Sequence, residues 1–184
     1  MGNRAVITTQ LKEKNEIGNQ TGVYIHWNGG RDSVEGFLKY CELKGYRKPE
    51  NDSYGMARLI QVISNYFGGG NSVDVGASEN LDCENFDNGV YFIKDWKIVG
   101  RLHEPKVEQL EYSLIEVVKA IDEKQPKDEQ LGNEAIDKAL KTAYQYTYSI
   151  AVGDIEAKDE NEALEQLKEN ISNGLYEVEL VETN

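Results

Sequence analysis

The chain has 184 residues, of which 39% are hydrophobic and 29% charged, and its formal net charge is -13, with a mean hydropathy of -0.62. The acidity argues against direct binding of nucleic acid through a basic patch, and no apolar run approaches the ~20 residues of a bilayer-spanning helix. The length suits one or two domains with a sizeable core.

The first predicted element is a strand over residues 3–9, centred on Arg4-Ala5-Val6-Ile7-Thr8. Residues 10–21 are polar and Gly18-Asn19-Gln20 reads as a turn, so a hairpin with a second strand at 22–27 is expected. That strand opens the stretch Gly22-Val23-Tyr24-Ile25-His26-Trp27-Asn28-Gly29-Gly30-Arg31-Asp32-Ser33, which ends in a tight turn and drops into a helix. Val23, Tyr24 and Ile25 suit a pleated surface, and Asn28-Gly29-Gly30 supplies the positive-φ positions of a sharp turn. Asp32 is expected to cap the helix, with Glu35 completing a capping box.

This helix spans about 33–44, with Val34, Phe37, Leu38 and Cys41 on one face and Gly45 at its end. Cys41 is therefore a core residue. A second helix near 53–67 carries Met56, Leu59, Ile60, Ile63, Tyr66 and Phe67 at helical spacing, and Gly68-Gly69-Gly70 ends it. Residues 68–88 are turn-rich, with a short strand at Val73-Asp74-Val75. Asp82, Glu84 and Asp87 lack the spacing of a calcium loop and read as a turn. Val90-Tyr91-Phe92-Ile93 and Lys97-Ile98-Val99-Gly100-Arg101-Leu102 form a hairpin about Asp95-Trp96, closing a first domain over 1–102.

The composition shifts after Pro105. Residues 1–102 carry a net charge of -1, whereas 103–184 hold 8 Lys, no Arg and 20 acids, a net of -12. A helix over about 106–124 is expected from Val107, Leu110, Leu114, Val117, Val118 and Ile121, and another after Asn133 from Ile136, Ala139, Leu140 and Ala143. Period-two alternation from Tyr144 to Val152, a helix from Asp159 with the stripe Ala163, Leu164, Leu167 and Ile171, and a strand through Tyr176, Val178 and Leu180 complete a strand-helix-strand unit. The expected architecture is thus α+β: a mixed domain over 1–102 (strands, two helices, a closing hairpin) and an acidic domain over 105–184. An acidic face of this kind suits a basic protein partner, including one whose groove holds DNA or RNA. Glu160, Glu165 and Glu169 lie off the apolar stripe and are its candidate contacts.

Little chemistry is written in motifs. There is no HExxH, CxxC, GxSxG or phosphate-binding Walker loop, no set of residues with metal spacing, and nothing that calls for a cofactor. Cys41 and Cys83 have no disulfide density and suit a reducing cytoplasm; no hydrophobic leader is expected at the first residues. What stands out is the turn after the second strand, which gathers His26, Trp27, Asn28, Arg31 and Asp32. His26 and Asp32 are candidates for an acid–base pair if the turn folds back. The five together are candidate partner contacts, and satisfying the local backbone is the bland account of the same groups.

These residues also carry a resemblance. Asn3-Arg4-Ala5-Val6-Ile7-Thr8, Val23 through Val34, Tyr54-Gly55-Met56-Ala57-Arg58-Leu59, Asp87-Asn88-Gly89-Val90-Tyr91 and Asp95 through Arg101 resemble a family of small proteins. It is carried by phages, plasmids and conjugative elements of Gram-positive bacteria. Some of its members resemble anti-CRISPR inhibitors of type II RNA-guided nucleases. The resemblance covers roughly residues 1–102, and the tail at 144–182 is similar to short strand-helix-strand modules of mobile elements. It implies an inhibitor that binds a type II CRISPR effector nuclease or its guide RNA complex in the cytoplasm of a bacterial host. Two other readings stay open: a hydrolase or nuclease centred on His26, Arg31 and Asp32, and an accessory protein of a mobile element with no role in defence. Oligomeric state is not set by any of these features.

Overall fold

A computed structural model of the chain describes residues 2–143, apart from Lys12, Asp52, 69–71 and Gln109, with the backbone alone for 141–143. The alternating segment from Tyr144, the helix from Asp159, the last strand and Glu160, Glu165 and Glu169 lie outside the described residues.

Five strands and four helices follow in the order β1 (Ala5–Thr9), β2 (Thr21–Ile25), α1 (Arg31–Leu43), α2 (Ser53–Phe67), β3 (Val73–Ala77), β4 (Val90–Lys94), β5 (Lys97–Leu102), α3 (Leu114–Glu123) and α4 (Asn133–Ala143). The architecture is α+β. One mixed sheet has the order β3-β2-β1-β4-β5. β1 pairs antiparallel with β2 and parallel with β4, while β2–β3 and β4–β5 are antiparallel. Both hairpins legible in the sequence are present.

The pleat sends alternate side chains to opposite faces, and this sheet is apolar on both. Ala5, Ile7, Val23, Ile25, Tyr91 and Ile93 face the helices, where they meet Val34, Phe37, Leu38 and Cys41 of α1 and Met56, Leu59, Val62 and Ile63 of α2. Val6, Val90 and Phe92 face the other way, under Ile17, Tyr24, Leu81, Cys83 and Leu102. Each fully buried aliphatic or aromatic side chain contributes about 1.5–3 kcal/mol, so the helix-covered face dominates the stability.

The break expected between 102 and 105 does not part this core. Val117, Val118 and Ile121 of α3, with Ile136 and Leu140 of α4, are buried in the same cluster as α1 and the sheet, and one compact unit runs to Thr142. Gly36 allows the close approach of α3: a Cβ there would stand 2.3 Å from Val117 Cγ1.

Three local expectations are corrected. The helix predicted from about 106 begins at Leu114, because Ser113 caps it: Ser113 Oγ accepts from the Glu116 amide and the Glu116 carboxylate accepts from the Ser113 amide at 2.9 Å. Val107 and Leu110, assigned to its buried stripe, are instead 77% and 65% exposed on a strap ahead of it. At α1 the N-cap is Gly30, with no side-chain cap, and Asp32 sits inside the first turn while Glu35 pairs with Arg31 at 2.7 Å. In the turn before it, Asn28 takes the positive φ (55°), and Gly30 is extended at φ -60° and ψ 154°.

Candidate functional site

The turn is fixed from behind by backbone. The Gly29 amide donates to Asn3 O at 2.8 Å and the Asn3 amide to His26 O at 3.1 Å, and Tyr91 Oη donates to Gly29 O at 3.1 Å. A Cβ on Gly29 would lie 2.6 Å from Asn3 O. Glycine is required there by contact with the chain entering β1, rather than by an approaching ligand.

Asp32 holds a loop. One carboxylate oxygen accepts the Ser33 amide at 2.7 Å, and the other accepts the amides of Glu111 and Tyr112 at 2.8 and 3.1 Å. The strap ahead of α3 is thereby tied at Glu111 and Tyr112 to the start of α1. Arg101 anchors it a second time through an ion pair with Glu108. The guanidinium of Arg101 also lies 4.2 Å from the Tyr91 ring centroid and donates to Asn88 O at 2.9 Å. Such a half-hidden cation is stable only because its donors are matched.

His26 and Asp32 are not joined by a hydrogen bond. His26 Nδ1 lies 3.1 Å from Tyr24 Oη, and its ring meets Trp27 edge to face at 4.9 Å between centroids. An acid–base pair needs a carboxylate in reach of the imidazole and an atom free to take a proton; Asp32's oxygens are spent on three amides. Arg31 is held by Glu35, which keeps its guanidinium firmly protonated. On the opposite loop, Asp87 accepts from Arg4 Nε at 2.6 Å, and this bond lowers its carboxyl below the usual carboxylate range. Among the described residues no group of three or more His, Cys, Asp or Glu side chains is disposed to hold a metal. No helix among them is long and apolar enough to cross a membrane.

What the turn does offer is surface. Trp27 and Tyr112 are 45% and 55% exposed and, with Asn28, Asp32 and Ser33, line a cleft of about 350 Å³. A second cleft of about 340 Å³ shares Asn28, Ser33 and Tyr112 and runs on to Glu116 and Ala120. The structure thus brings Trp27, Asn28 and Asp32 to one cleft, while His26 backs Trp27 and Arg31 turns to Glu35. Ser33, Glu111 and Tyr112 were not singled out in the sequence. The signal that would have found the last two is the Ser113–Glu116 capping box, which separates them from the helix.

Compared with family models, with curated proteins and with solved structures, the chain matches none.

Proposed function

We propose that this chain is a binding protein that acts by occupancy, with the Trp27–Tyr112 cleft as its contact surface. One observation carries the reading: the turn's titratable groups are committed to internal partners while two large aromatics beside them stay exposed. Exposed, well-anchored Trp and Tyr side chains are what protein interfaces select. The partner is a type II RNA-guided effector nuclease or its guide complex, as the resemblance over residues 1–102 implies, met in the cytoplasm of a bacterial host. Such effectors hold nucleic acid in positively charged channels, which suits a chain of net charge -13.

Titration against a fixed amount of guide-loaded effector tests this. Inhibition should require at least one chain per effector, and Trp27→Ala or Tyr112→Ala should weaken it by about tenfold or more, as removal of an interface anchor does, with melting unchanged. Full inhibition far below stoichiometry, or turnover of guide RNA, would overturn the reading and favour the hydrolase. Absence of any capture or inhibition would favour an accessory role outside defence.

A further inference from the structure

The loop between β3 and β4 presents another aromatic at the same end of the sheet as the Trp27 turn. Phe86 is 92% exposed and belongs to neither apolar cluster, although Leu81 and Cys83 of its own loop pack against Val6, Val90 and Phe92. Its backbone has φ 59°, a left-handed conformation that bulky side chains rarely adopt and that is found at ligand clamps. The loop around it is locked. Asn85 is fully buried; its Oδ1 accepts the amides of Asp87, Asn88 and Gly89 at 3.1, 3.2 and 3.0 Å, and its Nδ2 donates to Asp82 O and Gly89 O. Gly89 leaves no slack, since a Cβ there would stand 2.1 Å from Leu102 O. Asn88 Nδ2 donates to Asn3 Oδ1 and the Gly29 amide donates to Asn3 O. The loop and the Trp27 turn thus flank one residue at the entry to β1, and a single partner can touch both.

The charge around Phe86 selects the partner. With Pro105, Phe86 lines a cleft of about 460 Å³ whose walls include Glu84, Glu104 and Lys106. Asp82, Glu84 and Glu104 are exposed, Lys106 is the one amine lining the cleft, and Asp87 is neutralised by Arg4 at 2.6 Å. Burial raises the Cys83 thiol and the charges of Asp82 and Glu84 raise it further, so the field at this loop is negative. A second copy of the chain carries the same acids and is repelled. We infer that Phe86 is a fixed anchor that inserts into an apolar socket on the protein partner, a socket rimmed by basic side chains that meet Asp82, Glu84 and Glu104. A ring held rigid beforehand avoids the ordering cost that a flexible one meets on binding, and opposite rim charges speed encounter and set orientation. The inference rests on the binding reading above and adds a second anchor to its contact surface.

The test uses the full chain labelled with 4-fluorophenylalanine, and fluorine NMR follows its four phenylalanines. Phe37 and Phe92 are buried controls, and the signal lost in Phe86→Ala assigns Phe86. That signal should move between H2O and D2O, as an exposed ring does, and stay fixed on dilution. The probes are β-cyclodextrins, apolar sockets whose rims carry either amines or carboxylates. The amine-rimmed socket should shift the Phe86 signal saturably and bind about threefold or more tighter than the carboxylate-rimmed one, a preference lost at about 0.5 M salt. Against guide-loaded effector, Phe86→Ala and Phe86→Asn should each weaken inhibition by about tenfold or more. Neither should lower the melting temperature, because asparagine accepts the left-handed backbone and the ring belongs to neither core cluster; a structural Phe86 would destabilise both. A solvent-shielded signal, a signal that depends on concentration (a second copy covering the ring), equal binding of the two sockets, or full inhibition by both variants would overturn the inference. If Trp27→Ala abolishes inhibition while the Phe86 variants act as the unaltered chain does, the anchor falls and the binding reading stands. If the amine-rimmed socket selects Phe86 but no effector is captured, the effector reading falls and the anchor stands.

Discussion

At the scale of single residues, Asp32 shows how one side chain is read differently in sequence and in space. As a helix cap, its loss would cost about 1 kcal/mol. In the folded chain it accepts three backbone amides, two of them from residues 79 and 80 positions away. Hydrogen bonds to a charged acceptor contribute about 1.5–3 kcal/mol each when largely shielded, and the strap is only partly so. Asp32→Ala should therefore cost about 3 kcal/mol in urea unfolding, and the amides of Glu111 and Tyr112 should lose hydrogen-exchange protection. Asp32→Asn, which keeps one acceptor oxygen, should cost less. A loss near 1 kcal/mol with unchanged exchange at 111 and 112 would return Asp32 to an ordinary first-turn residue. The hairpin turn between β4 and β5 holds a similar surprise. Asp95 and Trp96 both have positive φ, 50° and 59°, where Asn-Gly is the usual choice. Burial of the indole and its bond to Tyr46 O compensate the strained backbone.

At the scale of elements, the local code was legible wherever one period ran unbroken. The α1 stripe Val34, Phe37, Leu38 and Cys41 is buried as expected, and so are Met56, Leu59 and Ile63 of α2. The Asn88-Gly89 signal opens β4 with Gly89 at φ 65°. What local pattern could not supply was partnership across the chain. Val107 and Leu110 continue the three- and four-residue steps of α3, but the Ser113 cap cuts them off, so period alone overran the boundary. Asp32, Glu111 and Tyr112 meet only because α3 docks on α1, and no spacing rule reports such a meeting. The docking itself depends on Gly36. Replacing it with alanine favours the isolated helix by about 1 kcal/mol, yet the new methyl would stand 2.3 Å from Val117 Cγ1. Overpacking of this kind costs about 1–3 kcal/mol. Gly36→Ala should lower the urea midpoint, and adding Val117→Ala should restore part of it by clearing the clash. A midpoint raised by Gly36→Ala alone would mean that α3 does not hold this close contact.

For the whole molecule, the shift in composition at Pro105 and the limits of the core do not coincide. Acidity changes there because a solvated face needs no particular sign of charge, whereas the core is decided by which apolar side chains find each other. Val117, Val118, Ile121, Ile136 and Leu140 all lie beyond the shift and all are fully or nearly fully buried in the cluster that covers the sheet. At about 1.5–3 kcal/mol for each buried side chain, these five together match the whole stability of an ordinary domain, about 5–15 kcal/mol. A chain ending at Leu102 would expose Phe37, Leu38 and their neighbours on α1 and lose the amides that hold Asp32. It should show no cooperative thermal transition and should bind a hydrophobic dye. A chain ending at Ala143 keeps the buried residues of the cluster that the structure describes and should melt as one unit. The comparison is read by calorimetry on the two truncations beside the full chain. Cooperative melting of the 1–102 piece would show that α3 and α4 are appended to a self-sufficient sheet. The cleft between Trp27 and Tyr112 would then be a junction between separable parts rather than a feature of one core.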